Sequence, residues 1–475
     1  MKVAYLSAEV YPFSKVGGLA DVAGSLPFLL KNKGIEIIIL TPFYSKFASL
    51  KKFKISDEIN HKISFNNEIY NLRWYRINYK NSDVFLIKEE NFFGRDYIYV
   101  SKNFEDDQYK RFAFFSYSSL LFLKNINFKP DIIHLNDWHT SFISIYLKEN
   151  FKDDDFFKKT KILLTIHNLS YQGIYEENVL KEINLKENLK EKLHFYGKIN
   201  FLKGGIIFSD FISTVSPSYA KEILTKEFGC GLEEILNKKK DRIYGILNGI
   251  DYDEWSPIND KDVFKNYDKE NVEIKWENKK FLEKEVFGNE SDKILIGMIA
   301  RLTYQKGIDL LLESFDEFFK RDLRFILLAE GEEKYVKPLK NYEEKYKDKF
   351  RFFNEFNLKL SRKIYASCDL FLIPSRFEPC GLTQMIAARY GTPSLGFKIG
   401  GIKDSIIDFD EGGYGFLFDK YEKESFIKKL DRAISIYKNK EEWKKIMRKC
   451  MEVDFSWEKS SLEYLKLYKK IYEEL

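Results

Sequence analysis

Lys2-Val3-Ala4-Tyr5-Leu6-Ser7-Ala8, a loop carrying Pro12, Gly17 and Gly18, an apolar pattern from Leu19 to Leu30, and Ile35-Glu36-Ile37-Ile38-Ile39-Leu40 open the chain in that order. Strand, loop, helical pattern and strand make a βαβ unit. Short apolar runs recur at Ile132 to Leu135, Ile162 to Ile166 and Phe211 to Val215, each ending in polar residues or before Pro217, and they read as buried parallel strands. A second series begins at Ile294 to Ala300 and continues through Phe325 to Ala329, Leu370 to Ile373 and Pro393 to Gly396, with helical patterns between. Two successive βα sets predict an α/β protein with two doubly wound domains. Tyr244 to Pro257, with Asn248-Gly249, reads as the hinge between them. Trp457 to Leu475 reads as one closing helix, because Leu462, Tyr464, Leu465, Leu467, Tyr468 and Ile471 fall at helical spacing.

A chain of 475 residues, 44% of them hydrophobic, has core material for two such domains. Its 78 basic and 73 acidic residues leave a net charge of +5, which gives no mandate for nucleic acid. Lys238-Lys239-Lys240 and the run Lys51, Lys52 and Lys54 read as solvated surface. No apolar stretch approaches the roughly 20 residues that span a bilayer. A strand starting at Lys2 leaves no room for a signal peptide, so a soluble, cytoplasmic protein is expected. Cys230, Cys368, Cys380 and Cys450 are scattered, which argues for reduced thiols rather than a disulfide framework or a zinc ribbon.

Several segments carry chemistry. Ser14 to Val22 puts Gly17 and Gly18 where a backbone can approach a ligand closely, at a helix start whose N–H groups favour an anion, with Lys15 adding a full charge. A plain tight turn needs the same glycines, and Asp21 equally reads as a first-turn acid. Arg301 and Lys306 follow a strand in the second half and suit a diphosphate. The loop Pro374 to Gln384 also leaves a strand and opens a helix, and its Glu378, beside those cations, suits sugar hydroxyls. His134, His139 and His167 lie near strand ends without metal-motif spacing, and His167-Asn168 is the pair placed to meet a ligand. Asp137-Trp138-His139 reads either as a cap with a packed aromatic or as part of a site. Asp251-Tyr252-Asp253 has the D-x-D form of metal-dependent transferases, yet it sits in the hinge, so no metal is expected.

Together, Lys15 to Val22, Asp137-Trp138-His139, His167-Asn168 with Tyr171-Gln172-Gly173, Asn248-Gly249-Ile250-Asp251, Arg301-Leu302-Thr303 with Gln305-Lys306-Gly307, and Glu378 to Gln384 resemble the serial motifs of bacterial glycogen synthases and plant starch synthases. The resemblance covers almost the whole chain. It implies the GT-B fold, two Rossmann-like doubly wound domains facing across a cleft, with boundaries expected at 1–247, 248–456 and a closing helix at 457–475 that crosses back to the first domain. It implies transfer of glucose, with retention, from ADP-glucose to the non-reducing end of an α-1,4-glucan, without cofactor, metal, nucleic acid or membrane. His167, Glu378, Arg301 and Lys306 resemble the family's catalytic set, the basic pair on the phosphates and the other two on the transferred glucose. Lys15, Gly17, Gly18, Asp21, Asp137, Asn168, Asn248, Cys380, Gly381, Leu382 and Thr383 are carried over as substrate-binding. Cys380, read at a helix start where a thiolate is favoured, is expected to make activity sensitive to thiol modification.

The chain departs from the family pattern at three places. Glu330-Gly331-Glu332 replaces a Gly-x-Gly near the expected nucleotide, Phe93 to Tyr99 differs from the usual aromatic-Asp-Arg loop, and Asn136 stands where an aspartate is expected. The rival readings are a retaining GT-B transferase using another nucleotide-glucose or a small acceptor, and an inactive glucan-binding homologue.

Overall fold

The computed structural model describes residues 1–44, 52–95, 97–99 and 106–475. Lys51 of the basic run and Asp96 of the loop after Phe93 lie outside them. The chain divides into two compact units, Met1–Asn248 with Trp457–Leu475, and Gly249–Ser456.

The first unit is built on β1 (Lys2–Leu6), β2 (Glu36–Pro42), β3 (Ile55–Phe65), β4 (Glu68–Tyr79), β5 (Ser82–Lys88), β6 (Ile132–Asn136) and β7 (Lys161–Ile166). The short strands β8 (Ile174–Tyr175), β9 (His194–Phe195) and β10 (Lys198–Asn200) form a separate antiparallel sheet. β11 (Phe211–Thr214) and β12 (Ile243–Gly245) complete a nine-stranded sheet in the order β12-β11-β7-β6-β1-β2-β5-β4-β3. Its strands are parallel except for β4 and β3, which are added as hairpins. Both hairpin turns are two residues long with positive φ at both, Asn66-Asn67 (50°, 62°) and Lys80-Asn81 (48°, 59°), the backbone twist that two-residue hairpins favour.

The single helix read over Leu19 to Leu30 is two, Gly18–Ala23 and Leu26–Asn32. Gly24 ends the first because the backbone there runs against Tyr11, whose carbonyl oxygen would be 2.7 Å from any Cβ. Pro27 then sits in the first turn of the second, where its missing N–H costs nothing. Trp457–Tyr472 forms one helix that buries Trp457, Tyr464, Leu467, Tyr468 and Ile471 in the core shared with Val3, Tyr5, Ile37 and Ile39. A buried polar chain also ties it to the sheet: Tyr468 Oη meets His134 Nδ1 at 2.6 Å, and His134 Nε2 meets Thr165 Oγ1 at 2.6 Å.

The second unit carries β13 (Ile294–Leu302), β14 (Leu323–Gly331), β15 (Phe350–Phe353), β16 (Leu370–Ile373), β17 (Ser394–Phe397) and β18 (Phe416–Phe418), all parallel, in the order β15-β14-β13-β16-β17-β18. That is a doubly wound Rossmann order, and the strand order reverses between β13 and β16. In the first unit the reversal falls between β1 and β6. Ligands of such sheets bind outside the carboxyl ends of the strands at this switch point. Most of the candidate site residues lie at or just beyond the carboxyl ends of β1, β6, β7, β13 and β16, and Asn248 follows β12.

Candidate active site

In the first unit, the loop after β1 is organised by a residue that sequence reasoning passed over. Glu9 is buried, and its Oε2 accepts the backbone N–H of Val16 at 2.5 Å and of Gly17 at 3.2 Å. Tyr99 Oη donates to its Oε1 at 2.8 Å. Burial raises the Glu9 carboxyl above its usual range, against the pull of these three donors. The amides of Val16 and Gly17, expected to face an anion, are thus turned inward, and Glu9 sets the shape of the loop that presents Lys15 and Gly18. Lys15 Nζ is paired with Asp21 Oδ1 at 2.6 Å, so Asp21 orients the lysine rather than serving only as a helix-start acid.

Asp137 is the first residue of the helix Asp137–Glu149, with φ of 57°. Its Oδ1 accepts the His167 backbone N–H at 2.7 Å, clamping the end of β7 to the end of β6. The carboxyl does not cap its own helix. Burial pushes it up to about 7, with the His167 and Asn168 amides pulling the other way. His167 Nε2 lies 2.9 Å from Asn136 Oδ1, and burial lowers the imidazole to about 3, so the ring is neutral near pH 7. Asn168 Oδ1 accepts from the Ser170 amide at 3.0 Å and shapes the turn toward Tyr171. Gly173 is required where it stands: its φ is 62°, and a Cβ would lie 2.2 Å from the Trp138 ring. His139 is buried against Tyr99, Phe112 and Trp138, and belongs to packing. Asn248 is buried with its Oδ1 unpartnered.

In the second unit, β13 runs on to Leu302, so Arg301 lies within the strand rather than after it, in register with Glu330 on β14. Its side chain is exposed and makes no ion pair among the described residues. Lys306 closes a short turn, and its Nζ meets Glu378 Oε2 at 2.6 Å. Ser375 Oγ donates to the same oxygen at 2.9 Å. The loops after β13 and β16 are held together by the Arg376 amide on Gln305 O at 2.9 Å. The Arg376 guanidinium is sandwiched between Tyr304 and Tyr421, 4.1 Å from each ring centre. Gly307 permits this approach with φ of 73°, since a Cβ would sit 1.9 Å from Pro374 O. Glu378 therefore has structural partners in Lys306 and Ser375.

Gly381 has φ of 74° and leads through Leu382 to the helix Thr383–Arg389. Cys380 lies before that helix and is 6% exposed, so the exposed thiol of the chain is Cys230, and the premise for rapid modification of Cys380 is withdrawn. Asp251 Oδ1 accepts the Asp253 amide at 2.9 Å, a local turn. Phe356, 79% exposed, stands in the loop after β15, on the edge where β14 ends in Glu330-Gly331. An isolated Phe between polar residues gave no sequence signal for it. Among the described residues no helix is long and apolar enough to cross a membrane.

Two Rossmann-like units, each with polar groups gathered at its switch point, are the architecture of the GT-B fold of glycosyltransferases. Residues 2–238 match the family model "Starch synthase catalytic domain", and residues 279–450 match "Glycosyl transferases group 1". The glycogen synthase of Fervidobacterium nodosum is 43% identical, and that of Thermotoga maritima 40%, each alignment covering 99% of both chains. The catalytic domain of starch synthase IV from Arabidopsis thaliana, solved with ADP and acarbose, superposes with a TM-score of 0.89 at 33% identity over 99% of each chain. Sucrose-phosphate synthase from Thermosynechococcus elongatus, at 14% identity and a TM-score of 0.62, shares the fold. The chain belongs to the glycogen synthase and starch synthase family of glucosyltransferases.

Proposed function

We propose that this protein elongates α-1,4-glucan by transferring glucose from ADP-glucose, with retention of configuration. The observation that carries the reading is the Arg301, Lys306 and Glu378 group at the switch point of the second sheet, within a chain similar over its whole length to glycogen synthases. Breaking the glucose–phosphate bond builds positive charge at the anomeric carbon and negative charge on the departing ADP. Arg301, exposed and without an ion pair among the described residues, takes the growing phosphate charge. Lys306 has three N–H donors, so its bond to Glu378 fixes the ammonium and leaves two for phosphate oxygens. In the first unit, Lys15, held by Asp21, is the cation available to an anionic part of the donor.

His167 and Glu378 hold hydroxyls of the transferred glucose, and Asp137 keeps the His167 backbone in place. The acceptor 4-hydroxyl attacks on the face the leaving group vacates, and the departing phosphate takes its proton. Phe356 offers an exposed ring for stacking on the nucleobase. ADP bound to the plant starch synthase domain supports the adenine nucleotide. Incorporation of labelled glucose from ADP-glucose into glycogen tests the proposal. Binding of glycogen without turnover of any sugar nucleotide would leave a glucan-binding homologue instead.

A further inference from the structure

Asn136 ends β6 at the first unit's switch point and is fully buried. Its Nδ2 donates to Leu6 O at 2.8 Å. Turning the amide over would set two oxygens against each other at that distance with no hydrogen between them, so Oδ1 must face the other way. There it accepts Tyr5 Oη at 3.2 Å and meets His167 Nε2 at 2.9 Å. A carbonyl oxygen has no proton to give, so the hydrogen in the second contact belongs to the imidazole. The backbone that carries the ring is held in turn, because the His167 amide donates to Asp137 Oδ1 at 2.7 Å. Burial lowers His167 to about 3, which leaves one ring proton at neutral pH.

We propose that Asn136 is a positioning residue that holds His167 in its Nε2–H tautomer, so that Nδ1 presents a bare lone pair to a hydroxyl of the transferred sugar. The second half of this statement rests on the assignment of His167 to the glucosyl unit. An acceptor of fixed polarity takes the sugar's O–H proton, whereas the other tautomer would aim an N–H at the same point and leave that proton unpaired. A hydrogen-bonding group left unpaired on burial costs about 1–3 kcal/mol, which corresponds to roughly 5- to 160-fold in rate for enzyme that carries the wrong tautomer.

Nitrogen–proton correlation spectra of protein labelled with ¹⁵N-histidine read the tautomer directly. The chain has five histidines, and loss of signals in His167→Gln assigns the one required. The expected spectrum shows a protonated Nε2 and an unprotonated Nδ1. Asn136→Asp retains an acceptor for Nε2–H whether ionised or not, and should keep the tautomer. Asn136→Ala should give a mixture, with kcat reduced in proportion to the Nε2–H population that is lost and glycogen affinity unchanged. A protonated Nδ1 in the wild type, or an unchanged tautomer in Asn136→Ala, would overturn the proposal. A changed tautomer with undiminished kcat would overturn its catalytic half. Wild-type turnover in His167→Ala would instead remove the site assignment while the tautomer result stood. The wild-type spectrum decides the first half whether or not Asn136→Ala folds.

Discussion

Replacing Lys306 by alanine separates the two roles that its geometry allows. The ammonium lies 2.6 Å from Glu378 Oε2, with side chains 20% and 8% exposed, so the substitution strips a mostly buried carboxylate of its counter-charge. Removing one partner of a fully buried pair costs about 3–5 kcal/mol. Here Ser375 Oγ still donates to Glu378 at 2.9 Å and the lysine is partly solvated, so the loss should be about 1–3 kcal/mol. A domain with a typical stability of about 5–15 kcal/mol remains folded.

Turnover should fall far more than folding suffers, on the order of 100-fold or more, as for loss of one preorganised donor to developing charge. Glycogen binding should hold. Lys306→Arg should recover only part, because the guanidinium fork fills space differently. Adding Glu378→Gln to Lys306→Ala removes the stranded charge and should restore the melting temperature without restoring turnover. The assays are steady-state kinetics with ADP-glucose and glycogen, and thermal unfolding of wild type, Lys306→Ala, Glu378→Gln and the double variant. Turnover of folded Lys306→Ala within about threefold of wild type, against that expected loss, would remove Lys306 from the chemistry. Recovery of turnover in the double variant would show that the pair matters only for structure.

Glu9→Ala leaves the Val16 and Gly17 amides and Tyr99 Oη without their acceptor, so faster amide exchange at residues 16 and 17 and a raised KM for the donor are expected, while Glu9→Gln, which keeps one acceptor for both amides, should recover most of the loss. Unchanged exchange would sink that account of the loop. Asp137 binds its proton up to about pH 7 when folded but only to about 4 when unfolded, so between those values the folded state holds more protons and stability falls as pH rises. Urea titrations should show that this slope disappears in Asp137→Asn, and an identical slope would contradict the burial argument. Deleting residues 457–475 uncovers a core in which five large side chains of the helix are buried, about 7–15 kcal/mol at ~1.5–3 kcal/mol each. That equals a whole domain's stability, so the truncated chain should fail to form a cooperatively unfolding first unit, and native-like circular dichroism melting would refute this.

The central strands of both units were legible because parallel strands buried on both faces carry unbroken apolar runs, as Ile294 to Ala300 and Leu370 to Ile373 do. The hairpins of β3 to β5 were not, because their strands are partly exposed and their turns use Asn66-Asn67 and Lys80-Asn81 without glycine. The break at Gly24 depends on Tyr11, which packs against it only after folding. The charges of the site were legible one by one within their motifs. Their pairings were not: Lys306 and Glu378 are 72 residues apart, and Tyr99 reaches Glu9 across 90. Glu9 itself reads in sequence as one acid among many, and only the turn of the loop back onto it reveals its task. Asn136 was visible solely as a departure, since its meaning lies in the orientation of one amide.

The central claim is that the donor is ADP-glucose and the acceptor a growing α-1,4-glucan. Initial rates of glucose incorporation into glycogen, measured side by side with ADP-, UDP- and GDP-glucose, test it most directly. The account predicts incorporation that is fastest from ADP-glucose, with lengthened α-1,4-linked chains as product. Equal or faster incorporation from UDP-glucose, or none from any of the three, would contradict it.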